Sequence, residues 1–186
     1  AALYRRIGTP AFAQITVLGN GLAKSCFESA LIPQASSNSA IQTCTRALNE
    51  QPITATNKLA TLVNRGILYM RNGEYTQAMA DYEDALKINP NKGETFLNIG
   101  AAHIYREEYA EAKDAIDKAI ELGTTDLYAA YYNRAIAQER LGDITSAYWD
   151  YRKSLELMPE FEIAARQLER FTISKEPPAD AGGQPA

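Results

Sequence analysis

Asn64-Arg65-Gly66, Asn98-Ile99-Gly100 and Asn133-Arg134-Ala135 stand 34 and 35 residues apart in this 186-residue chain. Each triplet opens the same run of offsets. Fourteen residues after the Asn comes Ala78, Ala112 or Ala147. Four further comes Tyr82, Ile116 or Tyr151, and three beyond that Ala85, Ala119 or Ser154. Two units close on proline, at Pro90 and Pro159, and Thr124 holds the corresponding place in the middle one. A recurrence of this length, with small residues at fixed offsets, marks a stack of helix pairs, none of which can bury its apolar face without a neighbour. Such a stack offers a long binding surface rather than an enclosed reaction pocket.

Within a unit the spacing predicts two helices. Leu62, Gly66 and Tyr69 fall on one helical face, and Arg71-Asn72-Gly73 supplies a turn in which glycine can take the left-handed conformation. Ala78, Tyr82, Ala85 and Leu86 form the face of the second helix, which Asn89-Pro90 stops. The same reading places helices at about 93–105, 109–122, 126–140 and 144–157. Gly66, Gly100 and Ala135 then sit where the two helices of a pair cross, facing Ala78, Ala112 and Ala147. A helix glycine costs about 1 kcal/mol relative to alanine, so close backbone approach is its reason for being there. One covariation fixes the register. Arg65 and Arg134 are each followed sixteen residues later by an aspartate, Asp81 and Asp150, whereas Ile99 is followed by Ala115. Two ionic pairs and one apolar pair place these positions in contact, as structural ion pairs that set how the helices align.

By this pattern the chain resembles the tetratricopeptide repeat family over residues 59–92, 93–127 and 128–161. Phe96 and Tyr131 hold the family's large first aromatic and Leu62 replaces it in the first unit. His103 and Gln138 depart from the Tyr69 position. The resemblance implies an all-α fold, a right-handed α-solenoid of antiparallel helix hairpins whose first helices line a concave groove. Asn64, Ile67, Met70 and Arg71 would line it in the first unit, Leu97, Asn98, Ala101 and Tyr105 in the second, and Tyr132, Asn133, Ile136 and Arg140 in the third. A carboxamide carries both a donor and an acceptor, so Asn64, Asn98 and Asn133 form a ladder able to pair with the backbone of an extended peptide. The alternative is that they only bond neighbouring helices. Members that clamp a free C-terminal carboxylate place lysines on this surface, and here those positions are Val63 and Ala129, which argues for an apolar segment as ligand.

The repeat pattern fades at both ends. Ala40, Cys44, Ala47 and Pro52 reproduce the second-helix spacing, so residues 21–58 read as a divergent first hairpin with its turn at Pro33, Ser36 and Ser37. Cys26 and Cys44 lie nine residues either side of Ala35, at similar height in an antiparallel hairpin. They are either bridged, which implies an exported, periplasmic protein, or two small core residues, which suits the cytoplasm. An Ala-Ala start would also suit the mature side of a signal-peptide cut. Residues 162–174, with Phe161, Ala164, Ala165, Leu168 and Phe171 at helical spacing, read as a capping helix. Residues 175–186 are a Pro-, Ala- and Gly-rich disordered tail, and 1–20 form a partly ordered N-terminal segment.

Several function classes lack a signal. With 19 basic against 23 acidic residues and a net charge of -4, the chain has no cationic surface for nucleic acid. Its longest apolar stretch, 11–19, is too short for membrane insertion. The single histidine, His103, falls on a core position without a nucleophile at motif spacing, and no metal site, phosphate loop or cofactor motif stands out. The expectation is a non-catalytic protein–protein interaction module that binds a protein or peptide partner in its groove. The alternative is a structural subunit that forms a homo-oligomer through the array faces or the cap helix.

Overall fold

A computed structural model describes residues 8–32 and 38–171, and among them it is entirely helical. An antiparallel hairpin comes first, α1 (Leu22–Leu31) and α2 (Asn38–Glu50). Three repeats follow: α3 (Ala55–Arg71) with α4 (Tyr75–Ile88), α5 (Gly93–Tyr105) with α6 (Tyr109–Glu121), and α7 (Leu127–Leu141) with α8 (Ile144–Leu157). A short helix, α9 (Glu162–Leu168), closes the stack. The helical periodicity thus translates directly into paired helices, each packed on the next. The turn at residues 33–37 and the tail from 172 onward lie outside the described residues.

The small residues do what their spacing implied. A Cβ on Gly66 would fall inside the ring of Tyr82, and one on Gly100 would collide with Ile116 and approach the Ala112 carbonyl. Tyr82, Ile116 and Tyr151, fully buried at equivalent positions, therefore plug each hairpin against the first helix. Two arginines bolt the hairpins together. Arg65 meets Asp81 through Nε and Nη2 at 2.8 and 2.6 Å, and Arg134 meets Asp150 at 2.7 and 2.9 Å. The third arm of each guanidinium reaches back one unit, to Thr45 at 2.9 Å and to Asp117 at 2.7 Å. Each arginine thus joins a hairpin to its neighbour as well as its own two helices. In the middle unit Ile99 and Ala115 pack in one apolar cluster instead. Both guanidiniums are raised above the ordinary arginine value, Arg65 against its burial by its bonds to Asp81. Burial pushes the Asp81 carboxyl above its usual range despite its bonds to Arg65. Arg134 is raised by its hydrogen bond to Asp150, with Asp117 adding to it against burial.

At the array's start, Cys26 and Cys44 are disulfide-bonded, with Cα atoms 4.8 Å apart. They sit in a cluster with Ala40, Ile41 and Leu68, so the bridge lies between the divergent hairpin and the first repeat. At the other end the cap is shorter than the expected 162–174. Its helix stops at Leu168 and a turn follows. Arg170 in that turn reaches back to Glu139 at 2.7 Å, while Phe161 packs edge-on against Tyr128 and Tyr132. One regular helix is thereby exchanged for a clasp on α7.

The turns inside the repeats share one geometry with one exception in chemistry. Glu74, Glu108 and Asp143 donate their N–H to Tyr69, His103 and Gln138, five residues back. The residue before each has positive φ: Gly73 at 77°, Glu107 at 62° and Gly142 at 89°. Only the middle unit asks a side-chain-bearing residue to adopt this conformation, which costs an L-residue about 1–2 kcal/mol. Glu107→Gly is expected to stabilise the protein by about 0.5–1 kcal/mol after the entropy of a freer unfolded chain is deducted. Urea denaturation of the two proteins measures it.

Candidate functional site

The concave face built by α3, α5 and α7 is filled by the protein's own N-terminal segment. Residues 8–18 run along it as an extended strap, and the repeat asparagines hold its backbone at every second residue. Ala11 donates its N–H to Asn133 Oδ1 at 2.8 Å, and Asn133 Nδ2 donates to the Ala11 carbonyl at 2.8 Å. Ala13 exchanges the same pair with Asn98 at 2.9 and 2.8 Å. Ile15 does so with Asn64 at 3.1 and 2.8 Å. Beyond the ladder, Asn57 takes Leu18 in the same two-bond grip, at 3.3 and 2.8 Å. The Leu22 N–H then donates to Gln51 Oε1 as the chain enters α1. The strap runs from the third repeat to the first, opposite to the order of the repeats.

The geometry follows from two periodicities. Two residues of extended chain advance about 6.6 Å, and each repeat presents one asparagine, so one repeat consumes two strap residues. Asn64, Asn98 and Asn133 are completely buried. Such a carboxamide needs partners for its oxygen and its nitrogen, and a buried peptide group needs the complement. Each satisfies the other, with no contribution from the strap's side chains.

Side chains decide how the strap lies. Ala13 is buried in the core cluster that contains Leu97, Tyr132 and Ile136. Phe12 and Ile15 pack on the cluster containing Ile67 and Met70, and Val17 packs with Ala60. Phe12 also stacks on Tyr105, ring centroids 6.0 Å apart and planes within 2°. At the strap's start the space a Gly8 side chain would need is taken by the Tyr132 hydroxyl. Burial pushes that phenol up to about 12, so it stays neutral at physiological pH.

Not every residue expected in the groove serves it. Asn64, Asn98, Asn133 and Tyr105 touch the strap, and Ile67, Met70, Leu97, Tyr132 and Ile136 form clusters into which it packs. Ala101 is simply buried. Arg71 turns away and donates to the Ile32 carbonyl at 2.9 Å, tying down the end of α1. Arg140 lies over the Tyr109 ring and bonds its hydroxyl. The single histidine bridges a turn, with His103 Nδ1 2.7 Å from Glu108 Oε2. Sequence reasoning overlooked Asn57, because it stands seven residues before Asn64 and outside the repeat register. It also gave residues 8–18 no place in the groove. The signal was there: Ala11, Ala13, Ile15 and Val17 alternate in a segment without a charged residue from Ile7 to Ala23, a period-2 pattern.

Comparison with known proteins agrees with this architecture. Residues 60–92 and 128–161 each match a model of the tetratricopeptide repeat, so the chain carries tetratricopeptide repeats. Human tetratricopeptide repeat protein 6 is 32% identical over 90 residues, which are 46% of this chain and 17% of that protein. The photosystem I assembly protein Ycf3 of Acaryochloris marina is 33% identical over 90 residues, 48% of this chain and 51% of its own length. This chain therefore spans only a part of these relatives. Among solved structures, the first tetratricopeptide domain of Spaghetti (RPAP3) bound to an HSP90 peptide superposes with a TM-score of 0.56. It is 26% identical and covers 60% of this chain and 88% of that one. MamA superposes with a TM-score of 0.57 at 26% identity, covering 69% of this chain and 72% of the other.

Asn98→Ala is expected to cost about 2–6 kcal/mol, because the buried N–H and C=O of Ala13 both lose their partner at about 1–3 kcal/mol each. Asn98→Asp keeps an acceptor for the N–H but sets a second oxygen against the carbonyl. It should be no better than alanine. Equilibrium unfolding in urea checks both.

Proposed function

We propose that this chain is a non-catalytic interaction module whose concave groove holds an extended polypeptide segment by its backbone. The single observation that carries the reading is the two-bond grip of Asn64, Asn98 and Asn133 on alternate peptide groups. A surface that pairs both polar groups of the main chain and leaves the side chains to shape alone is a polypeptide receptor in its chemistry. RPAP3, a structural relative, has been solved with an HSP90 peptide bound. The present groove differs from a receptor for a free carboxylate, since Val63 and Ala129 are fully buried and apolar. Among the described residues no helix is long and apolar enough to cross a membrane. The disulfide between Cys26 and Cys44 supports an oxidising, exported setting for this work.

A second reading draws on a different observation. With the groove filled, the most exposed large aromatic among the described residues is Trp149, 57% accessible. It lies under Arg152 and beside Tyr148, which itself packs on Phe171 at the capped end. That surface favours a structural role in which copies of the chain assemble through the array's outer face.

One experiment separates the two. A photo-crosslinking amino acid at position 105, the half-buried neighbour of Phe12, is irradiated in the source cells. The interaction reading predicts adducts with a different polypeptide. Adducts of twice the chain mass from the same probe placed instead at position 149 support assembly, and crosslinks from position 105 confined to residues 8–18 of the same chain contradict groove binding.

A further inference from the structure

The strap tells what the groove accepts. We infer that the groove takes, in exchange for its own residues 9–18, an uncharged extended segment of another polypeptide, running from the third repeat to the first. That segment has a small residue opposite Asn98 and a large apolar residue opposite Asn64. The inference rests on the proposed groove-binding function and adds the ligand's pattern, its direction and the competitor it must displace.

Three observations lead there. The backbone bonds of the strap are independent of its side chains, so any extended chain can make them. Side-chain size is constrained unequally along the ladder. Ala13 is completely buried in a packed cluster, leaving no space for a longer residue. Beside Ile15, by contrast, a recess of about 330 Å3 remains, bounded by Ala55, Leu59, Ile88 and Lys92. The resident segment underfills the first repeat. A phenylalanine, leucine or methionine at that place would bury apolar surface that isoleucine leaves wet. Thirdly, the strap is joined to α1 by Gly19-Asn20-Gly21, with φ of 101° and 85° at the two glycines, and Gly19 has nothing within 4 Å of where a side chain would be. The joint is open at Gly19, whereas Gly21 is held against the Gln51 side chain where the chain enters α1. The strap can therefore leave as far as Gly19 while α1 stays anchored. Charge agrees: residues 8–18 contain no ionisable side chain, and Lys92 at the recess is already paired with Glu94 at 2.9 Å.

What protects the groove is tethering. A tethered segment competes at an effective concentration on the order of 1 mM, so at micromolar protein its release from the tether should favour an outside peptide by roughly 1,000-fold. The test uses the full chain with a specific protease site inserted between Asn20 and Gly21, cut after folding. A fluorescein-labelled synthetic peptide of residues 9–18 is then titrated against cut and uncut protein, with uptake read by polarisation. The cut protein is expected to take up the peptide at least 100-fold more tightly than the uncut one. In competition, a peptide with Ile15→Phe should displace the label at several-fold lower concentration than the parent. A peptide with Ala13→Leu should need at least 10-fold more, and one with the reversed sequence should fail. Equal competition by all four overturns the pattern and the direction while leaving groove binding intact. A cut strap that persists through dialysis against excess peptide overturns exchange itself. If position 105 nonetheless crosslinks to a foreign polypeptide, groove binding stands and this inference alone is lost.

Discussion

A polypeptide backbone can lie in an apolar groove only if its peptide groups find partners there, because an unpaired buried N–H or C=O costs about 1–3 kcal/mol. Here the partners are three buried carboxamides at repeat spacing, with Asn57 as a fourth. Everything else about the concave face follows from that constraint. The asparagines need an extended chain to satisfy them as much as the chain needs them. A groove emptied of any chain would expose or strand both sides of the arrangement, so its natural condition is occupied, whether by the strap or by a replacement.

The helix pairs exist to hold those carboxamides in line. Gly66 and Gly100 let Tyr82 and Ile116 seat against the first helix of each pair, and this fixes how far each hairpin opens. Arg65 and Arg134 then fasten each hairpin to the one before it. Small shifts in either contact would change the distance between successive asparagines and break their match to the two-residue pitch of an extended strand. The disulfide at one end and the Arg170–Glu139 clasp at the other limit fraying of an array whose members are stable only through their neighbours.

Local periodicity made most of the fold readable. The helix pairs, the crossing glycines and the Arg–Asp register follow from offsets within one repeat, and the ladder of asparagines follows from the offset between repeats. What escaped was long-range. The partner of Asn133 is Ala11, 122 residues away, and no spacing rule links an isolated extended segment to a helical array. Alternation at Ala11, Ala13, Ile15 and Val17 marks such a segment but does not say which groove it enters. Arg71 and Arg140 were assigned to the groove by position alone, yet the Ile32 carbonyl and the Tyr109 ring, contributed by other elements, draw them off. The cap was overextended because its helical spacing continues through Phe171, while the clasp of Arg170 on Glu139 takes over after Leu168.

The central claim is that carboxamides, not a neighbouring strand or general burial, hold the backbone of the strap. Residue-resolved amide hydrogen exchange by NMR tests it most directly. The account predicts alternation: slow exchange at Ala11, Ala13 and Ile15, whose N–H groups are taken by asparagine, and fast exchange at Phe12, Gln14 and Thr16 between them. Uniform protection along the segment, or none at all, would contradict it.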